Sequence, residues 1–299
     1  MRIYTAEQTA RCLPYVGLAQ SLASMLRAER EGAARAPQRL VIPLRGENVL
    51  LLMPATDDQL AVTKLVTVHP DNPDRGLPTV RGELLVVDVT TGERLGLLEG
   101  QTVTARRTAA LSLLAARHLA PRPAGPMLIV GAGVQARAHL EAFREGLHVT
   151  EAYITSRTAA RADALAKHGR RLGVRTRVVD HPMEVLDQVA LIVTATTSSK
   201  PVLPETVRED AFIAAVGAFR PNMAELPAAL IHRARLYVDT LDGARAEAGD
   251  LIQANVDWGD VKSLGEALDE PRPLGGPVVF KSVGHALWDL AAARLVFGK

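Results

Sequence analysis

The sequence predicts a two-domain α/β chain, in which a doubly wound parallel sheet follows a smaller α+β domain. Three observations predict it. Beyond residue 126 short apolar runs alternate with helical stretches, the pattern of a parallel sheet with crossover helices. Ahead of residue 100 several strand-like segments follow one another through short turns. Between the two lies Pro121-Arg-Pro-Ala-Gly-Pro126, a run no regular element tolerates. At 299 residues the chain is long for one core and comfortable for two.

The elements follow in order. Thr5 with Gln8 forms a capping box, and Pro14 suits the first turn of a helix reaching about Glu31. Residues 39–44 and 49–54 read as a hairpin about the turn Arg45-Gly-Glu-Asn48. Leu60–Val68, Glu83–Val89 and Arg94–Glu99 read as further strands, with residues 70–78 a loop, so the first domain is a largely antiparallel sheet or partial barrel. Thr104 caps a helix to about Leu119. Strands follow at 127–130, 152–156, 175–180, 190–196, 211–217 and 235–239. Runs such as Ala190-Leu-Ile-Val-Thr-Ala195 lack a polar face, as strands covered on both sides do. Residues 283–297 read as an amphipathic helix that packs back on the first domain. The expected domains are therefore 1–120, completed by 278–299, and 121–277.

Composition narrows the function. A net charge of +2 gives no electrostatic case for nucleic acid or an anionic membrane. No segment approaches the ~18 apolar residues of a membrane span. The start, Met-Arg-Ile-Tyr-Thr-Ala-Glu, has an early acid and no apolar core, so no signal peptide is expected. With Cys12 as the single cysteine, a reducing, cytoplasmic setting is the expectation. No HExxH run, thiolate set or GxSxG elbow occurs, so neither a metal nor a serine nucleophile is expected.

Gly131-Ala-Gly-Val-Gln-Ala136 follows the apolar run Met127-Leu-Ile-Val130 and opens a helix. In that context GxGxxA is a dinucleotide fingerprint of the Rossmann type. Gly131 permits the tight turn, Gly133 admits the pyrophosphate, and Ala136 allows close helix–strand packing. The helix N-terminus supplies free N–H groups for the anion. An acid normally closes the second strand to hold an NAD ribose, whereas this chain has Ser156-Arg157-Thr158. Arg157 is either a binder of a 2′-phosphate, which favours NADP(H) with NAD(H) possible, or a solvated residue starting the next helix. The expected nucleotide contacts are Gly131, Gly133, Val134, Gln135, Ser156, Arg157, Thr158, Thr196, Thr197 and Val216.

Two basic positions stand out, in a chain with only six lysines. Alternation over residues 60–68 puts Lys64 on the apolar face with Leu60, Val62, Val66 and Val68. It is either an edge-strand guard against aggregation or a site residue with a tunable pKa. Arg106-Arg107 fall in the first turn after Thr104, where a cation opposes the helix dipole. A bound carboxylate would justify one of them; the other reads as solvated.

Together these residues resemble the ornithine cyclodeaminase/mu-crystallin family. The matching stretches are Thr63-Lys-Leu-Val66, Gly76-Leu-Pro-Thr-Val80, Arg107-Thr-Ala-Ala110, the run from Gly131 to His139, Glu247-Ala-Gly-Asp250 and Phe280-Lys-Ser-Val-Gly284. The resemblance implies a homodimer whose first domain dimerises and holds substrate, with the active site against the nucleotide domain. It places Arg39, Lys64 and Arg107 at substrate-binding positions, and Thr79, Thr197 and Ser282 at further ligand contacts. Deaminating members resemble Gly-x-Asp-x-Pro after the fifth strand, with a catalytic aspartate. This chain reads Gly217-Ala-Phe219-Arg-Pro221, and a phenyl ring neither accepts a proton nor activates water. Ketimine reductases and mu-crystallin also lack that acid. The implied activity is NADPH-dependent reduction of a cyclic imino acid, Δ1-pyrroline-2-carboxylate or Δ1-piperideine-2-carboxylate, to L-proline or L-pipecolate. In it Lys64 is a proton donor or a carboxylate ligand. Ornithine cyclodeamination with recycled NAD, and NADP-dependent ligand binding without catalysis, are the alternatives that the family's range implies.

Overall fold

A computed structural model describes residues 1–298. The chain divides into two compact units, residues 1–107 with 285–299 and residues 108–284. Lys299 lies outside the described residues.

The first unit opens with β1 (Arg2–Ile3), α1 (Ala6–Cys12) and α2 (Tyr15–Arg30). The capping box forms as expected: Gln8 N donates to Thr5 Oγ1, and Thr5 N donates to the Gln8 carboxamide at 3.0 Å. Then come β2 (Leu40–Pro43), β3 (Val49–Thr56), β4 (Leu60–Val68), β5 (Val80–Asp88) and β6 (Arg94–Glu99). The sheet order is β1-β6-β5-β4-β3-β2, antiparallel except for the β1–β6 pair, and open at β1 and β2 rather than closed into a barrel. Burial alternates along β4, with Leu60, Val62, Lys64 and Val66 inward.

α3 (Gly100–Leu119) begins five residues before the start that a Thr104 cap implies. Its cap is Glu99, whose carboxylate accepts from Gln101 N at 3.1 Å and Thr102 N at 2.7 Å. A carboxylate satisfies two orphan donors and suits the positive end of the helix dipole. Thr104 is therefore inside the helix and Arg106 and Arg107 are in its second turn, where the dipole argument does not apply.

The second unit contains β7 (Met127–Val130), α4 (Val134–Leu147), β8 (Glu151–Thr155), α5 (Ala159–Arg171), β9 (Arg175–Val178), β10 (Leu191–Thr194), β11 (Phe212–Ala215), α6 (Ala228–Arg233), β12 (Arg235–Val238), α7 (Leu241–Glu247), α8 (Gly249–Gln253), β13 (Val261–Ser263), α9 (Leu264–Ala267) and β14 (Val278–Lys281). The order β13-β12-β14-β11-β10-β7-β8-β9 is parallel throughout. The strand order reverses about β7 and β10, the switch point at which doubly wound sheets bind ligands. Two strands, β13 and β14, escape the sequence reading. Residues 278–284, expected with the terminal helix, instead belong to this sheet and its carboxyl end. Only α10 (Ala286–Phe297) returns to the first unit, where it packs on α2, β3 and β4. Its residues 286–293 are buried all round, so it is a core helix there and not an amphipathic one.

Candidate active site

The register of the first sheet builds the site. Met53, Lys64, Leu84 and Leu98 stand opposite one another across β3, β4, β5 and β6, and all four are buried. Continuing the β2–β3 register by one residue from Leu40↔Leu52 brings Arg39 to the end of that row. β4 is a central strand, so Lys64 is no edge guard. Its side chain is 2% exposed and reaches Asp289 on α10, with Nζ 3.0 Å from Oδ1 and 2.8 Å from Oδ2. Nζ also donates to Thr104 Oγ1 at 3.2 Å. Arg107 Nε donates to Asp289 Oδ1 at 3.1 Å.

Burial of the lysine would suppress its charge, and Arg107 and Arg39 push the same way, while Asp289 supports it. Its pKa falls from 10.5 to about 8, with burial the largest cause. Lys64 is thus still an acid at neutral pH, though a far readier proton donor than a surface lysine. Lys64 and Arg107 share the carboxylate of Asp289, so two cations meet one anion, and half-buried Arg39 is near enough to act on the charge of Lys64. Arg107 Nη1 is buried and has no hydrogen-bond partner among the described residues. A buried donor without a partner costs free energy, and a ligand carboxylate would remove that cost. Arg106 is neither solvated nor part of the site: Nε donates to Leu13 O at 2.6 Å and the guanidinium stacks 3.8 Å over Tyr15. Thr79 sits just before β5, its carbonyl accepting from His69 N at 2.7 Å.

The second unit carries a dinucleotide cradle. Gly131 has φ +111°, and a Cβ there would meet the Ala195 carbonyl, so only glycine fits. A Cβ on Gly133 would enter open space. No side chain caps α4, whose first residue, Val134, is 66% exposed. The Gln135 side-chain oxygen is buried with no hydrogen-bond partner among the described residues. Free N–H groups, an uncovered apolar side chain and space above a glycine fit a dinucleotide pyrophosphate. His139 is structural: Nδ1 lies 2.8 Å from Gln135 O and Nε2 2.9 Å from Ser112 Oγ, and burial drives its pKa to about 4. Ser156, Arg157 and Thr158 follow β8, with Arg157 exposed.

A buried carboxylate network, which sequence reasoning missed, holds the carboxyl ends of β10 and β11. Glu225 accepts from Thr194 Oγ1 (2.9 Å), Thr196 N (2.6 Å), Thr196 Oγ1 (2.8 Å) and Gly217 N (2.7 Å). Burial pushes its carboxyl up, and the charge of Lys281 opposes this. Lys281 pairs with Asp250 at 2.6 Å, both fully buried. Thr196 and Val216 are thereby fixed at the two strand ends, while Thr197 is exposed. Ser282 donates to Asp239 Oδ2 at 2.8 Å, which also accepts from Val283 N and Gly284 N. Phe219, 42% exposed, leaves no carboxylate in the loop after β11 at that position. Among the described residues no cluster could hold a metal ion, and no helix is long and apolar enough to cross a membrane.

Lys64→Met should fold and lose one pH dependence of stability. Folded Lys64 titrates near 8 and unfolded lysine near 10.5, so both states are protonated at pH 7 and the folded one carries the burial cost. At ~1.4 kcal/mol per pKa unit that cost is about 3 kcal/mol, relieved as pH rises from 8 towards 10.5. Urea unfolding should show this rise in the parent and lose it in the variant; a parent whose stability stays flat over that range would contradict a buried, charged Lys64.

The similarity to known proteins is broad. The chain is 42% identical over 295 residues to Delta(1)-pyrroline-2-carboxylate reductase 1 of Burkholderia multivorans, covering 98% of this chain and 94% of that protein. It is 39% identical over 292 residues to the Delta(1)-pyrroline-2-carboxylate/Delta(1)-piperideine-2-carboxylate reductase of Azospirillum brasilense, covering 98% and 94%. Among solved structures, Delta(1)-pyrroline-2-carboxylate reductase of Thermococcus litoralis, in complex with NADH and L-proline, superposes with a TM-score of 0.91 at 27% identity, covering 99% of this chain and 96% of that one. The family model for ornithine cyclodeaminase/mu-crystallin proteins matches residues 3–299, and the chain belongs to that family.

Proposed function

We propose that this protein is an oxidoreductase that reduces cyclic imino acids, Δ1-pyrroline-2-carboxylate and its six-membered homologue Δ1-piperideine-2-carboxylate, to L-proline and L-pipecolate with NADPH. The observation that carries this is the buried cluster of Lys64 and Arg107 on one carboxylate, which keeps positive charge and a free guanidinium donor for a small anion. The named activities of the relatives support the same chemistry.

Arg107, with Arg39, holds the substrate carboxylate, since a planar fork matches its two oxygens. The C=N bond accepts hydride readily only when its nitrogen is protonated. Lys64 supplies that proton and becomes neutral, a form its buried setting tolerates, and it recovers the proton from solvent. The Gly131 turn and the N-terminus of α4 would hold a nicotinamide dinucleotide, which when bound would provide the hydride for the imine carbon. The family resemblance implies Thr79 as a further ligand contact in the first unit, and Thr197 and Ser282 as ligand contacts in the second.

Arg157, exposed beside Ser156 and Thr158, selects the 2′-phosphate of NADPH, with NADH accepted less well. The sheet face opposite Lys64 carries Leu40, Leu52 and Leu65 in one cross-strand row, with Ile42 and Leu50 beside it. Leu40 and Leu65 are 53% and 43% exposed there, a surface suited to a second copy of the chain.

NADPH oxidation should follow addition of either imino acid, with no ammonia released from L-ornithine and NAD. Arg107→Lys should lose roughly ten- to a hundredfold in kcat/KM, because a charge-assisted bond is worth about 1.5–3 kcal/mol. Ornithine-dependent ammonia without imine reduction would overturn the reading. Arg157→Ala should raise KM for NADPH at least about tenfold and spare NADH, by the same magnitude; equal kcat/KM for both cofactors in the parent would remove Arg157 from selection. Sedimentation should show a dimer that Leu40→Asp with Leu65→Asp dissociates; an unaltered dimer in that variant would place the interface elsewhere.

A further inference from the structure

The geometry points to Asp289 as the positioning residue of the active site: one carboxylate on α10 that fixes Lys64 Nζ relative to Arg107 Nε and cancels one of their charges. The inference rests on the reading of Lys64 and Arg107 as substrate-directed groups.

Asp289 is fully buried in Leu287-Trp288-Asp289-Leu290-Ala291, a stretch that is otherwise apolar. A carboxylate in such a setting is unfavourable unless charges compensate it, so it is no packing choice. Its partners lie 225 and 182 residues earlier in the chain, on β4 and α3. Oδ1 accepts from both cations, while Oδ2 lies 2.8 Å from Lys64 Nζ. Arg107 is held through Nε, which leaves Nη1 without a partner and available to a ligand oxygen. The charged groups that face Lys64 are Asp289 from α10, Arg107 from α3 and Arg39 from the segment before β2. Burial and the two arginines all discharge the lysine, and Asp289 is the charged group that holds its proton. Asp289 therefore sets both where the proton donor sits and at what pH it is loaded, without touching substrate.

The test is Asp289→Asn, which keeps the shape and removes the charge. With 13C-labelled lysine only six residues report, and the Lys64 signal is the one that Lys64→Met lacks. In the parent it should titrate near 8, and in Asp289→Asn at least a unit lower. The alkaline limb of kcat for imine reduction should move down by the same amount, and Asp289→Glu should restore part of it. A folded Asp289→Asn protein with unchanged Lys64 titration and unchanged KM overturns the assignment. Should that variant not fold, Lys64→Met/Asp289→Asn removes a cation together with the anion. L-Proline binding to its NADPH complex, by calorimetry, should be at least tenfold weaker than to Lys64→Met alone; equal binding overturns the hold on Arg107. If the parent reduces no imine, the proposed reaction fails, while the lysine titration still decides the role of Asp289.

Discussion

One carboxylate, Asp289, joins a strand, a helix and the end of the chain. Lys64 and Arg107 are both buried, and neither charge is tolerable there alone. Their shared anion comes from α10, so the first unit is complete only when residues 285–298 join residues 1–107. The packing of α10 on α2, β3 and β4 thus serves more than core formation. Ser21 Oγ donates to Ala291 O at 2.7 Å, tying α2 to the turn of α10 that carries the acid. Apolar burial brings the helix back, and the ion pairs specify its angular setting.

The second unit uses the same device for a different purpose. Glu225 gathers four donors from the ends of β10 and β11, and Asp250 links it to Lys281 at the end of β14. These strand ends border the switch point, where a parallel sheet offers loops but no ladder to hold them. A buried carboxylate with all its donors in place makes those loops rigid, and leaves Gly131 and α4 free of side-chain caps for an anion. Asp239 does the same for the turn at Ser282 to Gly284.

Much of the site was legible in the residues. Alternation alone put Lys64 on the covered face, because period-two geometry is local. The fingerprint at Gly131 was legible because its glycines meet backbone constraints set within a few residues. Arg107 was singled out for a reason the structure replaces: Glu99, not Thr104, caps α3, its carboxylate accepting from Gln101 N and Thr102 N. Asp289 was missed although it signals itself as a lone acid in an apolar helix. Asp250 and Lys281 were noticed only as parts of matching stretches. Their burial and pairing arise between segments 31 residues apart, which no local pattern records.

Local propensity and periodicity in the sequence determined the two-part organisation, most of the strands, the nucleotide turn and the inward aim of Lys64. Tertiary structure decided the rest. It placed β14 between β11 and β12, because a strand's neighbours are chosen by the whole sheet and not by its own residues. It also chose the counter-ion of Lys64 and Arg107, because charges distant in sequence become partners only when packing removes the water between them.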